Sequence, residues 1–184
     1  MNTTPHILSA DSEDALWQQV TADMARLESP LDYQVLLRQS NYEILLEIDV
    51  DLGGGFEGGY EFTTLSAAIP ADVPLRFSLH KQDWVNEMGK LLGMEDIELG
   101  YPALDAAFII QTNQPETLRA LLADAEVQGL LLEYPDLRLS LAPSAAESPA
   151  LLLTATHEEG VLEPVQLRQV YHLLMLLLQQ LRSA

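Results

Sequence analysis

From Tyr42 to Asp51 the chain alternates: Tyr42, Ile44, Leu46, Ile48 and Val50 interleave with Glu43, Glu47, Asp49 and Asp51. A period of two sends successive side chains to opposite faces of a strand. The segment therefore predicts a strand with one buried face and one solvated, acidic face. A sheet of this kind needs a second layer over its apolar side only, which favours an antiparallel sheet covered by helices.

The period changes to three and four elsewhere. Ser12 stands where an N-cap would open a helix carrying Leu16, Val20, Met24 and Leu27, ending before Pro30. At the other end, Pro164 opens a segment in which Leu167, Val170, Leu174, Leu177 and Leu181 form one stripe. Leu173, Leu176 and Leu178 widen that stripe, so the C-terminal helix is expected to lie in the protein's own core, with a homodimer seam as the alternative. A middle helix is expected over residues 83–92, burying Trp84, Met88, Leu91 and Leu92 before Gly93.

Further strands are expected at residues 33–38, 60–69, 104–112, 137–141 and 151–156. The alternation of Leu75, Phe77 and Leu79 is read as extending the meander from the strand at 60–69. Residues 104–112 are read as a covered central strand, since Ala106 and Phe108 oppose Ala107 and Ile109. A helix is expected at Pro115–Leu122, and a short helix or a turn over residues 126–133. The stretches 53–59 and 143–149 read as hairpin connections. The whole gives one α+β domain over residues 1–184, with a largely antiparallel sheet of five to seven strands covered by N-terminal, middle and C-terminal helices. Residues 1–10 form an expected unstructured lead.

Charge excludes several partners. The 28 acidic residues against 9 basic ones give a formal net charge of −19 over 184 residues. Nucleic-acid binding needs clustered cations that displace counterions from phosphate, and the basic residues are dispersed from Arg26 to Arg182. The same field disfavours anionic membranes and favours a basic protein partner. The longest aliphatic run, Leu173 to Leu178, falls far short of the roughly 20 residues that span a bilayer. There is no cysteine, which suits the cytoplasm, and no secretory signal pattern at the N-terminus.

Patterns that carry chemistry are sparse. Glu47, Asp49 and Asp51 share one strand face and could offer hard oxygen ligands to a divalent cation, although no loop motif accompanies them. They are the metal candidates, against a plainer role of keeping the face solvated. His6, His80, His157 and His172 are isolated, and His157-Glu158-Glu159 reads as a solvated turn. The loop 53–59 lacks the Gly-Lys-Ser/Thr ending of a phosphate cradle and contains Glu57, so its glycines are read as turn formers. Asp105 interrupts an apolar stretch and is expected to cap a turn or pair with a base, with a buried acid as the alternative. No catalytic residue and no cofactor are expected.

The stretch Gly93-Met94-Glu95-Asp96-Ile97-Glu98-Leu99-Gly100, with Leu104-Asp105-Ala106-Ala107-Phe108-Ile109-Ile110-Gln111-Thr112 and Leu118-Arg119-Ala120-Leu121-Leu122 after it, resembles a segment of an uncharacterised bacterial family of unknown function. That resemblance, over residues 93–122, implies a bacterial origin and a packing unit and carries no activity. The expected function is a non-enzymatic protein-binding module with an acidic surface, like an immunity protein or a chaperone in charge and size. The alternative is an enzyme or cation-binding protein with a carboxylate site assembled in space.

Overall fold

Strand β1 (His6–Ala10) leads through helix α1 (Glu13–Met24) into β2 (Asp32–Gln39), and the two strands pair in parallel, as a strand–helix–strand crossover allows. All other pairings in this computed structural model are antiparallel. The structure describes residues 6–27, 32–51, 53, 59–81, 94–144, 150–158 and 163–183. After β2 come β3 (Tyr42–Asp51), β4 (Tyr60–Ile69), β5 (Phe77–His80), β6 (Asp96–Ile97), α2 (Pro102–Ala107) and β7 (Ile109–Thr112). Then follow α3 (Pro115–Leu121), α4 (Ala125–Glu133), β8 (Arg138–Pro143), β9 (Leu151–His157) and α5 (Pro164–Ser183). They form an α+β fold with one open sheet in the order β1-β2-β3-β4-β9-β8-β5-β7-β6.

Strand register explains where the core lies. Val35, Leu46, Leu65, Ala155, Leu139, Leu79 and Ile110 stand side by side across seven strands, and all are buried. Helices α1 and α5 pack over the β1–β4 and β9 part of this apolar face, and α3 and α4 pack against α5. In α5, Leu167, Leu173, Leu174 and Leu177 are fully buried within the chain. Trp17 of α1 meets Tyr171 of α5 edge to face at 5.6 Å, and the Tyr171 hydroxyl donates to Gln39 Oε1 at 2.9 Å, tying both helices to β2. Burial pushes the Tyr171 phenol far above its ordinary range, with the charge of Glu13 adding to it.

Local signals explain the helix starts. Ser12 Oγ accepts from the Ala15 N–H, and Asp124 caps α4 by accepting from the Glu126 N–H at 2.7 Å. Proline occupies the first turn of α2 and of α3, where no intrahelical N–H is needed.

Several expectations need correction. Residues 6–10 are not a loose lead: they form β1, whose five residues are too few to show a period and which is held by pairing with β2. Strand β5 does not extend the meander, because β9 takes the place beside β4 and β5 lies between β8 and β7. The expected central strand over 104–112 begins only at Ile109. Pro102 at the first turn and the helix-favouring run Pro-Ala-Leu-Asp-Ala-Ala make residues 102–107 helical instead. Helix α1 stops at Met24, and Leu27 is exposed. Among the described residues the sheet has nine strands, the two unforeseen ones being the short edges β1 and β6. The expected helix over 83–92 lies outside the described residues, as do 54–58 and 145–149, most of the two hairpin connections. The strands flanking each connection do pair as antiparallel hairpins.

Candidate functional site

On the face of β2, β3 and β4 turned away from the apolar core, the same alternation produces two chemically different ends. Next to the tight β2–β3 turn, Arg38 and Glu43 stand directly opposite each other, with Arg38 Nη2 at 2.6 Å from Glu43 Oε1. Leu36, Leu45, Ser66, Ala68 and Leu152 floor a shallow concavity of about 630 Å³ beside this pair. Arg182 of α5 borders it, donating to the Asn41 carbonyl at 2.9 Å with its guanidinium 4.5 Å from the Tyr42 ring centroid.

At the opposite end the cross-strand neighbours are Asp32 with Asp49, Asp49 with Phe62, and Asp51 with Tyr60. Directly opposed like charges destabilise a sheet, by roughly 0.2–1 kcal/mol per pair. None of the described cationic side chains forms an ion pair with Asp32, Glu47, Asp49 or Asp51. Tyr60 and Phe62, two residues apart on one face of β4, are 44% and 38% exposed, and their rings lie 5.6 Å apart with a 36° tilt. The Tyr60 hydroxyl reaches Asp49 Oδ2 at 3.5 Å, the limit of a hydrogen bond. The negative charge of Asp49, above all, raises the phenol above its ordinary value of 10.0.

The structure gives each carboxylate of the sequence-derived metal set a separate partner. Glu47 accepts from Gln34 Nε2 at 2.6 Å, and Asp51 accepts from the N–H of Gly53, whose φ is 69°, at 2.9 Å. Successive members along the strand are about 7 Å apart by strand geometry. Their contacts are separate: Gln34 for Glu47, the Tyr60 hydroxyl for Asp49 and the Gly53 N–H for Asp51. Among the described residues, no group of three or more His, Asp or Glu side chains is arranged to hold a metal. Asp105 caps a turn as expected: its carboxylate accepts from the N–H groups of Leu99 at 2.8 Å and Gly100 at 2.9 Å. Gly100 adopts a φ of 83°, which favours glycine, and a Cβ there would sit 2.7 Å from Arg119 Nη2 and displace that guanidinium.

The sequence reading missed an ionic clasp between helices. Arg168 of α5 pairs with Glu13 at 2.7 Å and with Asp14, both in the first turn of α1. One turn further on, His172 places Nδ1 at 2.7 Å from Glu13 and Nε2 at 3.2 Å from Glu126 of α4. Burial pulls the imidazole's value down, but hydrogen bonds and charges from Glu13 and Glu126 outweigh it, and the net shift is upward from 6.5. The available signal was the spacing of Arg168 and His172, four apart on one helix face. Their partners, distant in sequence, become neighbours only through folding.

Six of the described cations are spent inside the molecule. Arg38, Lys81 and Arg168 pair with carboxylates, while Arg76, Arg119 and Arg182 donate to backbone carbonyls. An arginine on a carbonyl neutralises no acid at close range, so the surplus negative charge faces solution. Among the described residues, no helix is long and apolar enough to cross a membrane. Comparisons with protein-family models, curated proteins and solved structures found no match to this chain.

Proposed function

We propose that the protein is a non-enzymatic binding module that recognises a basic protein. The observation that carries this reading is the disposition of charge: Arg38, Arg76, Lys81, Arg119, Arg168 and Arg182 are committed to internal contacts, while none of the described cations pairs with Asp32, Glu47, Asp49 or Asp51 on the outward face of β2 and β3. A field of one sign accelerates encounter with an oppositely charged partner and penalises like-charged ones. The absence of cysteine from the sequence suits a reducing cytoplasm. Five leucines of α5, namely Leu167, Leu173, Leu174, Leu177 and Leu178, are buried within the chain itself.

Calorimetric titration with arginine- and lysine-rich peptides at rising salt tests the reading. Binding at low ionic strength that weakens steeply with salt is expected. Titration with Ca²⁺, Mg²⁺ or Mn²⁺ provides the contrary outcome: a melting midpoint that climbs with ion concentration would favour a carboxylate cation site.

A further inference from the structure

Tyr60 and Phe62 expose adjacent ring surfaces on β4, and Asp49 lies in register with Phe62 while Asp51 lies in register with Tyr60. Asp32 adds a third carboxylate on the next strand, directly across from Asp49. We infer that this aromatic and acidic patch is the docking surface for an arginine-bearing, extended basic segment of a partner protein. The inference rests on the binding-module reading and gives it a location and a chemical preference.

Three features of the patch favour that occupant. Exposed aromatic faces attract a cation through the ring quadrupole, and a planar guanidinium can stack there while its N–H fork engages a carboxylate. A partner's positive charge would relieve the opposition of Asp32 and Asp49, and no described cationic side chain pairs with either carboxylate. The opposite end of the same strands shows what internal matching looks like: Arg38 faces Glu43 in register and is closed as an ion pair. The open face of β4 also places Tyr60 and Phe62 at the two-residue interval that alternate side chains of an extended segment can follow. Arginine is preferred over lysine because an ammonium lacks the planar surface that stacks and the fork that pairs with Asp49.

The probe is a capped peptide of alternating arginine and serine, with lysine and glutamate analogues, titrated into the full-length protein. The wild type is expected to bind the arginine peptide more tightly than the lysine peptide and the glutamate peptide not at all. Phe62→Ser is expected to weaken the arginine peptide by about two- to fivefold, the scale of an exposed cation–π contact. Asp49→Asn, nearly isosteric, is expected to weaken it comparably, which keeps the test sound should Phe62→Ser fold poorly. Glu116→Gln, on the distant helix α3, is the control and leaves binding unchanged. Equal binding by wild type, Phe62→Ser and Asp49→Asn would overturn the patch while leaving the binding module standing. Failure of the wild type to bind either cationic peptide would overturn both.

Discussion

The two faces of β2, β3 and β4 come from the same alternation, yet they do opposite work. On one face Val35, Leu46 and Leu65 stand in register and vanish under α1 and α5; on the other, one step along each strand, Leu36, Leu45 and Ser66 remain partly open. The covered face has its counterpart within the chain, and its energy is realised on folding. The open face closes an ion pair at the Arg38–Glu43 end; at the Asp32–Asp49 end like charges meet beside exposed rings. Stability is thus concentrated on one side and recognition on the other, so substitutions should separate the two.

The largest expected effect is at Leu174, fully buried in α5. Leu174→Asp would put an unpaired carboxylate in the core and should abolish cooperative unfolding, measured by circular dichroism on heating. A sharp melt at the wild-type temperature would break the assignment of α5 to the core. Next in size is a paired comparison on neighbouring residues of β3. Leu46→Ala on the covered face should cost about 2–5 kcal/mol in denaturant melts. Leu45→Ala on the partly open face should cost about 1 kcal/mol, since less apolar area is withdrawn from water there. Equal losses would mean that both faces are packed alike.

A smaller effect concerns the clasp over the covered face. His172 has its folded-state pKa raised, so protonation favours the native state. That contribution is fully present below the ordinary histidine value of 6.5 and is lost as pH rises through the higher folded value. The melting midpoint should therefore carry a decline from mildly acidic toward mildly alkaline pH, and His172→Gln should flatten that part of the profile. An unchanged slope in His172→Gln would assign it to other groups. The smallest effect, and opposite in sign, is expected at the open face. Asp32→Asn removes the repulsion with Asp49 and should stabilise the fold by a few tenths of a kcal/mol at low salt, disappearing at high salt. A loss of stability there would show that Asp32 has a structural role.

Periodicity made β3, β4, α1 and α5 legible because each is long enough to repeat its pattern and has one face against the core. It failed at β1 and β6, five and two residues long, where pairing with a neighbour decides the conformation. It also failed at residues 104–107, where a short apolar run fits either period and Pro102 tips the local preference to helix. Among the candidate residues, the acidic face of β3 was readable, and so was the turn-capping role of Asp105. The aromatic neighbours of that face were not, because register between β3 and β4 is needed to set Phe62 beside Asp49.

The amino-acid order alone settled which side of β3 meets water, where the two long helices begin, and the sign of the surface field, since these depend on neighbours a few residues away and on composition. Sheet order, the insertion of β9 beside β4, the clasp of Glu13, Glu126, Arg168 and His172, and the meeting of two aspartates with two rings were decided by tertiary structure. Each joins residues distant along the chain, whose approach depends on the packing of the whole core rather than on any local preference.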